Sequence, residues 1–352
     1  MSGTHREDPS GSPSVPLNTA RLDAYLRKEL GDLDGELLVE SISGGQSNPT
    51  FFVSYGNRRL VLRKQPPGHT LPSAHAVDRE YRIMAALGSS DVPVPGMVLF
   101  CNDREIVGTP FYLMERLEGR VFSDCSLPGI ASADRRAMYL AMAETLARLH
   151  RVDWAASGLS DYGRPGNYFA RQIDRWTRQW TLSKTREIPQ IDQLMRWLPN
   201  QIPADDTTTI VHGDFRIGNL MFHPTEPRVV GVLDWELSTL GHPLADLAFS
   251  ALAWRLNPDE HMGMRGCDLG ALGIPSEQEY LEHYYRHSGT PQQVLPFHFA
   301  FALFRLAVIF EGIAARARSG AAVADNAADV GKLSLTFARR AIEVIEGQQT
   351  VA

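Results

Sequence analysis

Between Ile210 and Glu236 the chain reads IVHGDFRIGNLMFHPTEPRVVGVLDWE, a strand-like island inside a sequence that is otherwise helical in period from Gly119 onward. Two short apolar runs, Leu220 to Phe222 and Val229 to Leu233, flank the turn-forming HPTEPR and predict a hairpin. With Phe222 opposite Gly231, Asn219 faces Asp234, and directly opposed side chains stand roughly 5 Å apart at Cβ. An amide oxygen and a carboxylate so placed are hard ligands suited to Mg²⁺. Asp214 lies at the lip of the same loop, where it can serve as a base.

The surroundings of this island set the fold class. At roughly 100 to 200 residues per domain, 352 residues accommodate two lobes. Leu22, Tyr25, Leu26 and Leu30 have helical spacing, and Gly31 follows as a stop signal. ELLVESIS, TFFVSYG and RRLVLRK then read as strands of an antiparallel sheet. AHAVDREYRIMAAL returns to helical period, and PVPGMVLF, EIVGTPF and FYLMERLEG supply two or three further strands. Strands around one helix make a small α+β lobe. We therefore expect a tail over 1–18, an N-terminal lobe over 19–117 and a helical C-terminal lobe over 118–352, with a cleft between the lobes.

Composition removes several classes. The chain has 35 Lys+Arg against 41 Asp+Glu, a net charge of -6, which is not the electrostatic footprint of a nucleic-acid binder. Cys101, Cys125 and Cys267 lie far apart without zinc-ligand spacing and read as reduced thiols. The opening residues lack the apolar run of a secretory signal. LPFHFAFALFRLAVIFEGIAARAR, interrupted by His298, Arg305 and Glu311, reads as a buried helix rather than a membrane span. These features together point to a cytoplasmic protein, with oligomeric state left open.

Phosphoryl transfer by kinases asks for an Asp that receives a hydroxyl proton, an Asn five positions later on the metal, and a second Asp on the nucleotide-bound ions. HGDFRIGN followed by VLDWE supplies Asp214, Asn219 and Asp234 in that order. Here the chain resembles the aminoglycoside phosphotransferase and choline kinase group of protein-kinase-like enzymes, whose signature is H-G-D-x-x-x-x-N followed by D-W/F-E. The resemblance implies a two-lobed protein-kinase-like α+β fold, with a small antiparallel-sheet N-lobe and a larger helical C-lobe, and it implies ATP and Mg²⁺ as cofactors. Arg216 takes the place of a kinase lysine that neutralises the transferred phosphoryl, or is a plain surface arginine. His212 reads as a support for the loop backbone. Glu236 either approaches the second metal or caps the next segment, and Asp246 in GHPLADLAF resembles the Asp that braces the family's catalytic loop.

In the N-terminal lobe the turn SGGQSNPT, with Gly44, Gly45 and Ser47, can lay backbone N–H groups over phosphates. On the strand RLVLRK, Val61 and Arg63 share a face and Lys64 points the other way. Kinases place an adenine contact and a phosphate-binding cation here. The resemblance favours Arg63 over Lys64 for that cation and pairs it with Glu80. Met114, Glu115 and Leu117 fall at the lobe junction, where backbone groups would meet adenine.

The acceptor is less determined. SGGQSNPTF, LRKQPPG, DREYRI and YGRPGNYFARQIDRW resemble a subgroup that also occurs as the kinase-like domain fused to certain acyl-CoA dehydrogenases. That likeness implies a hydroxyacyl-CoA kinase acting on 4-hydroxyacyl-CoA thioesters. Arg164, Arg171 and Arg175, interleaved with Tyr168 and Trp176, suit an anionic, partly apolar acceptor, or else form a solvated helix face. The alternatives are an aminoglycoside or other small-molecule kinase of the same fold, a nucleotide-binding pseudokinase, and a metallohydrolase built on His212, Asp214, Asp234 and His242.

Overall fold

The computed structural model describes residues 17–42, 48–67, 76–261, 263–318 and 327–349. Most of the expected tail and the glycine turn with Gly44, Gly45 and Ser47 therefore lie outside the described residues. The chain forms two compact units, residues 1–82 with 95–116 and residues 83–94 with 117–352.

The first unit opens with helix α1 (Thr19–Leu30), whose first turn is capped by the Asn18 side chain accepting from the Arg21 N–H. Strands β1 (Leu38–Ser41), β2 (Thr50–Ser54) and β3 (Arg59–Lys64) follow, then α2 (Val77–Leu87), whose last residues, from Ile83, belong to the second unit, β4 (Met97–Cys101), the single-turn helix α3 (Arg104–Val107) and β5 (Phe111–Glu115). The five strands make one antiparallel sheet in the order β1-β2-β3-β5-β4. Two strands therefore follow α2. The EIV of EIVGTPF, expected as strand, is helical because Asp103 caps it, accepting from the Glu105 N–H, and Gly108 ends it in the left-handed region.

Alternation along β3 sorts its side chains. Leu60 and Leu62 enter the core with Leu22, Leu26, Phe51, Val53, Phe111 and Leu113. Lys64 shares their face and is buried, with its Nζ donating to the Val107 carbonyl. Burial pushes its pKa down. Val61 and Arg63 occupy the opposite face and lie across from Met114 and Tyr112 of β5.

The second unit contains α4 (Ser132–Arg151), α5 (Tyr168–Ser183), α6 (Pro189–Trp197), β6 (Thr209–Val211), β7 (Leu220–Phe222), β8 (Val229–Val232), β9 (Thr239–Gly241), α7 (Pro243–Ser250), α8 (Leu269–Leu272), α9 (Glu277–Ser288), α10 (Pro296–Arg318) and α11 (Ala327–Gln349). β7 and β8 form the expected hairpin, and β6 pairs antiparallel with β9, a three-residue strand too short to register as a period. The α+β class expected from the sequence is the class found.

Helix α10 is long and apolar enough to cross a membrane by composition, yet 83% of its apolar window is buried against the rest of the protein, where α5, α7 and α11 pack on it. The polar residues that interrupt it are used inside. Arg305 donates to the Gly213 carbonyl. Glu311, fully buried, accepts from the Thr185 N–H at 2.9 Å, the Thr185 hydroxyl at 2.7 Å and the Arg186 guanidinium at 3.1 and 3.2 Å. Replacing Glu311 by Ala strands those donors, so we expect Glu311→Ala to lower unfolding free energy by about 2–3 kcal/mol. The change would be read from the urea midpoint at constant m-value; an unchanged midpoint would remove Glu311 from the set of structural anchors.

Candidate active site

The loop from His212 to Asn219 joins β6 to β7, and buried hydrogen bonds hold its backbone. Asp246, in the first turn of α7, accepts from the His212 N–H at 2.5 Å and the Gly213 N–H at 2.8 Å. His150, near the end of α4, places its Nε2 3.5 Å from the Asp246 carboxylate, while its Nδ1 lies 2.7 Å from the Tyr284 hydroxyl of α9. Burial alone would raise the Asp246 pKa, but His150, His212 and the Gly213 N–H outweigh it and hold the carboxyl below its ordinary range. Gly213 has φ 84°, and a Cβ there would meet the Leu237 carbonyl at 2.7 Å, so the turn accepts glycine alone.

His212 acts as a strut. Its Nε2 lies 2.9 Å from the Leu233 carbonyl, an acceptor only, so Nε2 donates and Nδ1 accepts from the Asp214 N–H at 3.2 Å. Both nitrogens are thereby committed. His242 is similar, with Nε2 against Asp205 at 2.9 Å and Nδ1 accepting from the Leu244 N–H. Neither imidazole has a nitrogen left for a metal, which removes the metallohydrolase reading.

Asp214, Arg216 and Asn219 come together at the end of the loop. The Asn219 amide nitrogen donates to the Asp214 carboxylate at 2.7 Å and to its main-chain carbonyl at 2.8 Å, which leaves the amide oxygen as the acceptor. Arg216 Nε stands 3.3 Å from the same Asp214 oxygen.

The hairpin register differs from the expected one. Met221 pairs with Gly231 and Leu220 with Val232, and the Leu233 N–H donates to the Asn219 carbonyl at 2.8 Å. Leu233, not Asp234, is therefore opposite Asn219. The reason is Phe222, whose N–H and carbonyl both bond to Arg120, so the ladder shifts at a bulge beside it. Asp234 leaves the strand in the left-handed region at φ 65°, so that turn, and not the pleat, sets its direction. Trp235 follows with its indole N–H donating to the Val232 carbonyl, and Glu236 is exposed on the same turn.

In the first unit Arg63 Nε pairs with Glu80 Oε2 at 3.1 Å. Glu80 is buried and also accepts from Asn48 at 2.6 Å and the Tyr112 hydroxyl at 3.0 Å. The strand pattern therefore found the cation and its acid, but not the two neutral groups that orient the acid. Val61 is buried opposite Met114, and Glu115 pairs with Arg58 at 2.9 Å. Leu117 follows β5 in the second unit, where its side chain fills the space a Cβ on Gly231 would need.

The arginine-rich segment does not present one surface. Tyr168 is buried against Phe169 and Phe301, and Arg171 turns back onto the Arg164 carbonyl. Arg175 lies 5.2 Å from the Trp176 ring, and Arg305 approaches the same ring at 5.7 Å. A recess is lined by Tyr139, Met142, Phe249 and Leu306 with Arg216 and His261, and no Asp or Glu is among its lining residues. His261 has φ 80°; burial pushes its pKa down, Arg216 adds to that, and Asp214 opposes it. Sequence reasoning missed His150, His261 and Arg305 because each reaches the loop from a distant helix or turn; the buried charge within an apolar helix was the available signal for Arg305.

The model of the APH phosphotransferase enzyme family matches residues 39–296. Acyl-CoA dehydrogenase family member 10 of Mus musculus is 44% identical over 324 residues, covering 91% of this chain and 30% of that protein. The chain thus spans about a third of that relative's length. A solved Ralstonia eutropha protein named as a candidate aminoglycoside phosphotransferase is 45% identical, with TM-score 0.87 over 94% of this chain and 99% of its own. An aminoglycoside phosphotransferase held with AMP-PNP and hygromycin B is 17% identical, with TM-score 0.59 over 90% of this chain and 97% of its own, a likeness of fold.

The Asp246 brace carries a pH dependence. Its folded pKa is depressed, so its stabilisation is present above the ordinary carboxylate pKa, about 3.9, and is lost as pH falls below that toward the folded value. Asp246→Asn, which keeps one acceptor oxygen but sets an amide donor against the other main-chain N–H, is expected to cost about 3–5 kcal/mol and to flatten the acid limb of the stability curve. A variant with the wild-type acid limb would show that Asp246 is not the titrating group.

Proposed function

We propose, from the premise that the chain belongs to the APH phosphotransferase enzyme family, that it is an ATP- and Mg²⁺-dependent kinase of a small-molecule hydroxyl. The observation that carries this reading is the Asp214–Asn219 pair, with the amide nitrogen bound to the carboxylate at 2.7 Å on a backbone pinned by Asp246. Such a carboxylate is positioned to accept the proton of an attacking hydroxyl. The amide oxygen of Asn219 and the carboxylate of Asp234 are the hard oxygen donors that Mg²⁺ requires, so the residues fit the ion. Bound there, Mg²⁺ would neutralise charge on the nucleotide phosphates. Arg63, oriented by Glu80, would bind phosphate oxygens, and Arg216 would offset charge on the transferred group. The nucleotide complex of the structural relative supports nucleotide use.

For the acceptor we favour an acyl thioester bearing a hydroxyl, such as a 4-hydroxyacyl-CoA. The recess beside Arg216 is apolar and free of carboxylates among its lining residues, which suits an acyl chain better than a polycationic aminoglycoside. The name of the Mus musculus relative supports the same substrate class.

ADP release measured with ATP, Mg²⁺ and a panel of hydroxyacyl-CoAs, choline, sugars and kanamycin is expected to depend on the hydroxyacyl-CoA. ATP binding without turnover on any acceptor would favour a pseudokinase, and turnover on kanamycin alone would move the acceptor to the aminoglycosides. Asp214→Ala should lower kcat by at least about 10²-fold with nucleotide affinity kept; equal loss of both would reject its role as base. Asp234→Ala should abolish Mg²⁺-dependent ATP binding.

A further inference from the structure

Helices α4 and α9 pack side by side, and on them Glu144, His283 and His287 bring one ligand-capable atom each to within 4.8 Å of one another. Among the described residues this is the one group of three His, Cys, Asp or Glu side chains so arranged. The two histidines are four positions apart on α9 and so share a helix face, with ring centroids 4.3 Å apart. All three side chains are half-buried.

The rings are prepared as ligands. His287 Nδ1 lies 2.8 Å from the His283 carbonyl; a carbonyl only accepts, so Nδ1 carries the proton and Nε2 the lone pair. This is the main-chain hydrogen bond that fixes the tautomer of metal-bound imidazoles elsewhere. Glu144 is held ionised by Arg148, whose Nη2 stands 2.6 Å from Oε1.

We propose that Glu144, His283 and His287 form a binding site for a borderline divalent transition metal of the Zn²⁺ type, which clamps α4 to α9. Two imidazoles and one carboxylate are a donor set for Zn²⁺ and are too nitrogen-rich for Mg²⁺ or Ca²⁺. The same two helices carry His150 and Tyr284, the pair that backs Asp246, so the clamp would stiffen the support of the catalytic loop. The site is separate from the oxygen ligands assigned to Mg²⁺ and does not depend on that assignment.

The test is equilibrium dialysis of the full, chelator-stripped chain against Zn²⁺ in excess Mg²⁺, with bound metal counted by mass spectrometry and melting followed in parallel. We expect one equivalent bound and a melting temperature that rises with Zn²⁺. His283→Ala, His287→Asn and Glu144→Gln should each weaken binding more than about tenfold and abolish the rise. A Cu²⁺-loaded sample should show two nitrogen ligands by electron paramagnetic resonance. No bound Zn²⁺, or affinity unchanged in the histidine variants, would overturn the site. Affinity unchanged in Glu144→Gln would reduce it to a surface histidine pair and overturn the clamp. Because three single variants on two helices are used, misfolding of one leaves the other two decisive.

Discussion

The carboxylate of Asp246, almost without access to water, accepts from two consecutive main-chain N–H groups and so decides where the loop from His212 to Asn219 begins. A buried carboxylate is unfavourable unless its oxygens are satisfied. Here the loop backbone satisfies them, and His150 Nε2 stands 3.5 Å away. The chain around Gly213 is held from its other side by Arg305, which donates to that residue's carbonyl from the interior of α10. Two charged groups that an apolar interior would ordinarily exclude are therefore retained to hold one turn of backbone.

From that turn the order of the site follows. His212 spans from the loop to Leu233 through its ring, which ties the loop to the hairpin that carries Asp234. Asn219 closes back on Asp214, so the two side chains orient each other. In the other unit, Glu80 plays a comparable part by gathering Arg63, Asn48 and Tyr112. In both places a buried acid gathers several donors and fixes the segment that carries them.

The recess beside Arg216 obeys a different logic. It is walled by apolar side chains and edged by Arg216 and His261, and its shape is set by helices far apart in the chain. The arginine and tryptophan stripe on α5 is divided by packing: Tyr168 turns into the core, while Arg175 and Arg305 flank Trp176. A stripe read along one helix cannot show which of its members a neighbouring helix will cover.

What the amino-acid order determined by itself was local and chemical. The periods of β2 and β3, the helical runs, the HPTEPR turn and the spacing of Asp214, Asn219 and Asp234 are encoded within a few residues of each position. The tertiary structure alone decided the hairpin register, because Phe222 gives its backbone bonds to Arg120 from outside the hairpin. It alone matched His150 with Asp246, Arg305 with Gly213 and Glu144 with His283 and His287. Partners separated by about a hundred residues are selected by which faces pack together and by the cost of leaving a buried polar group unpaired, and neither is written in any short stretch of the chain.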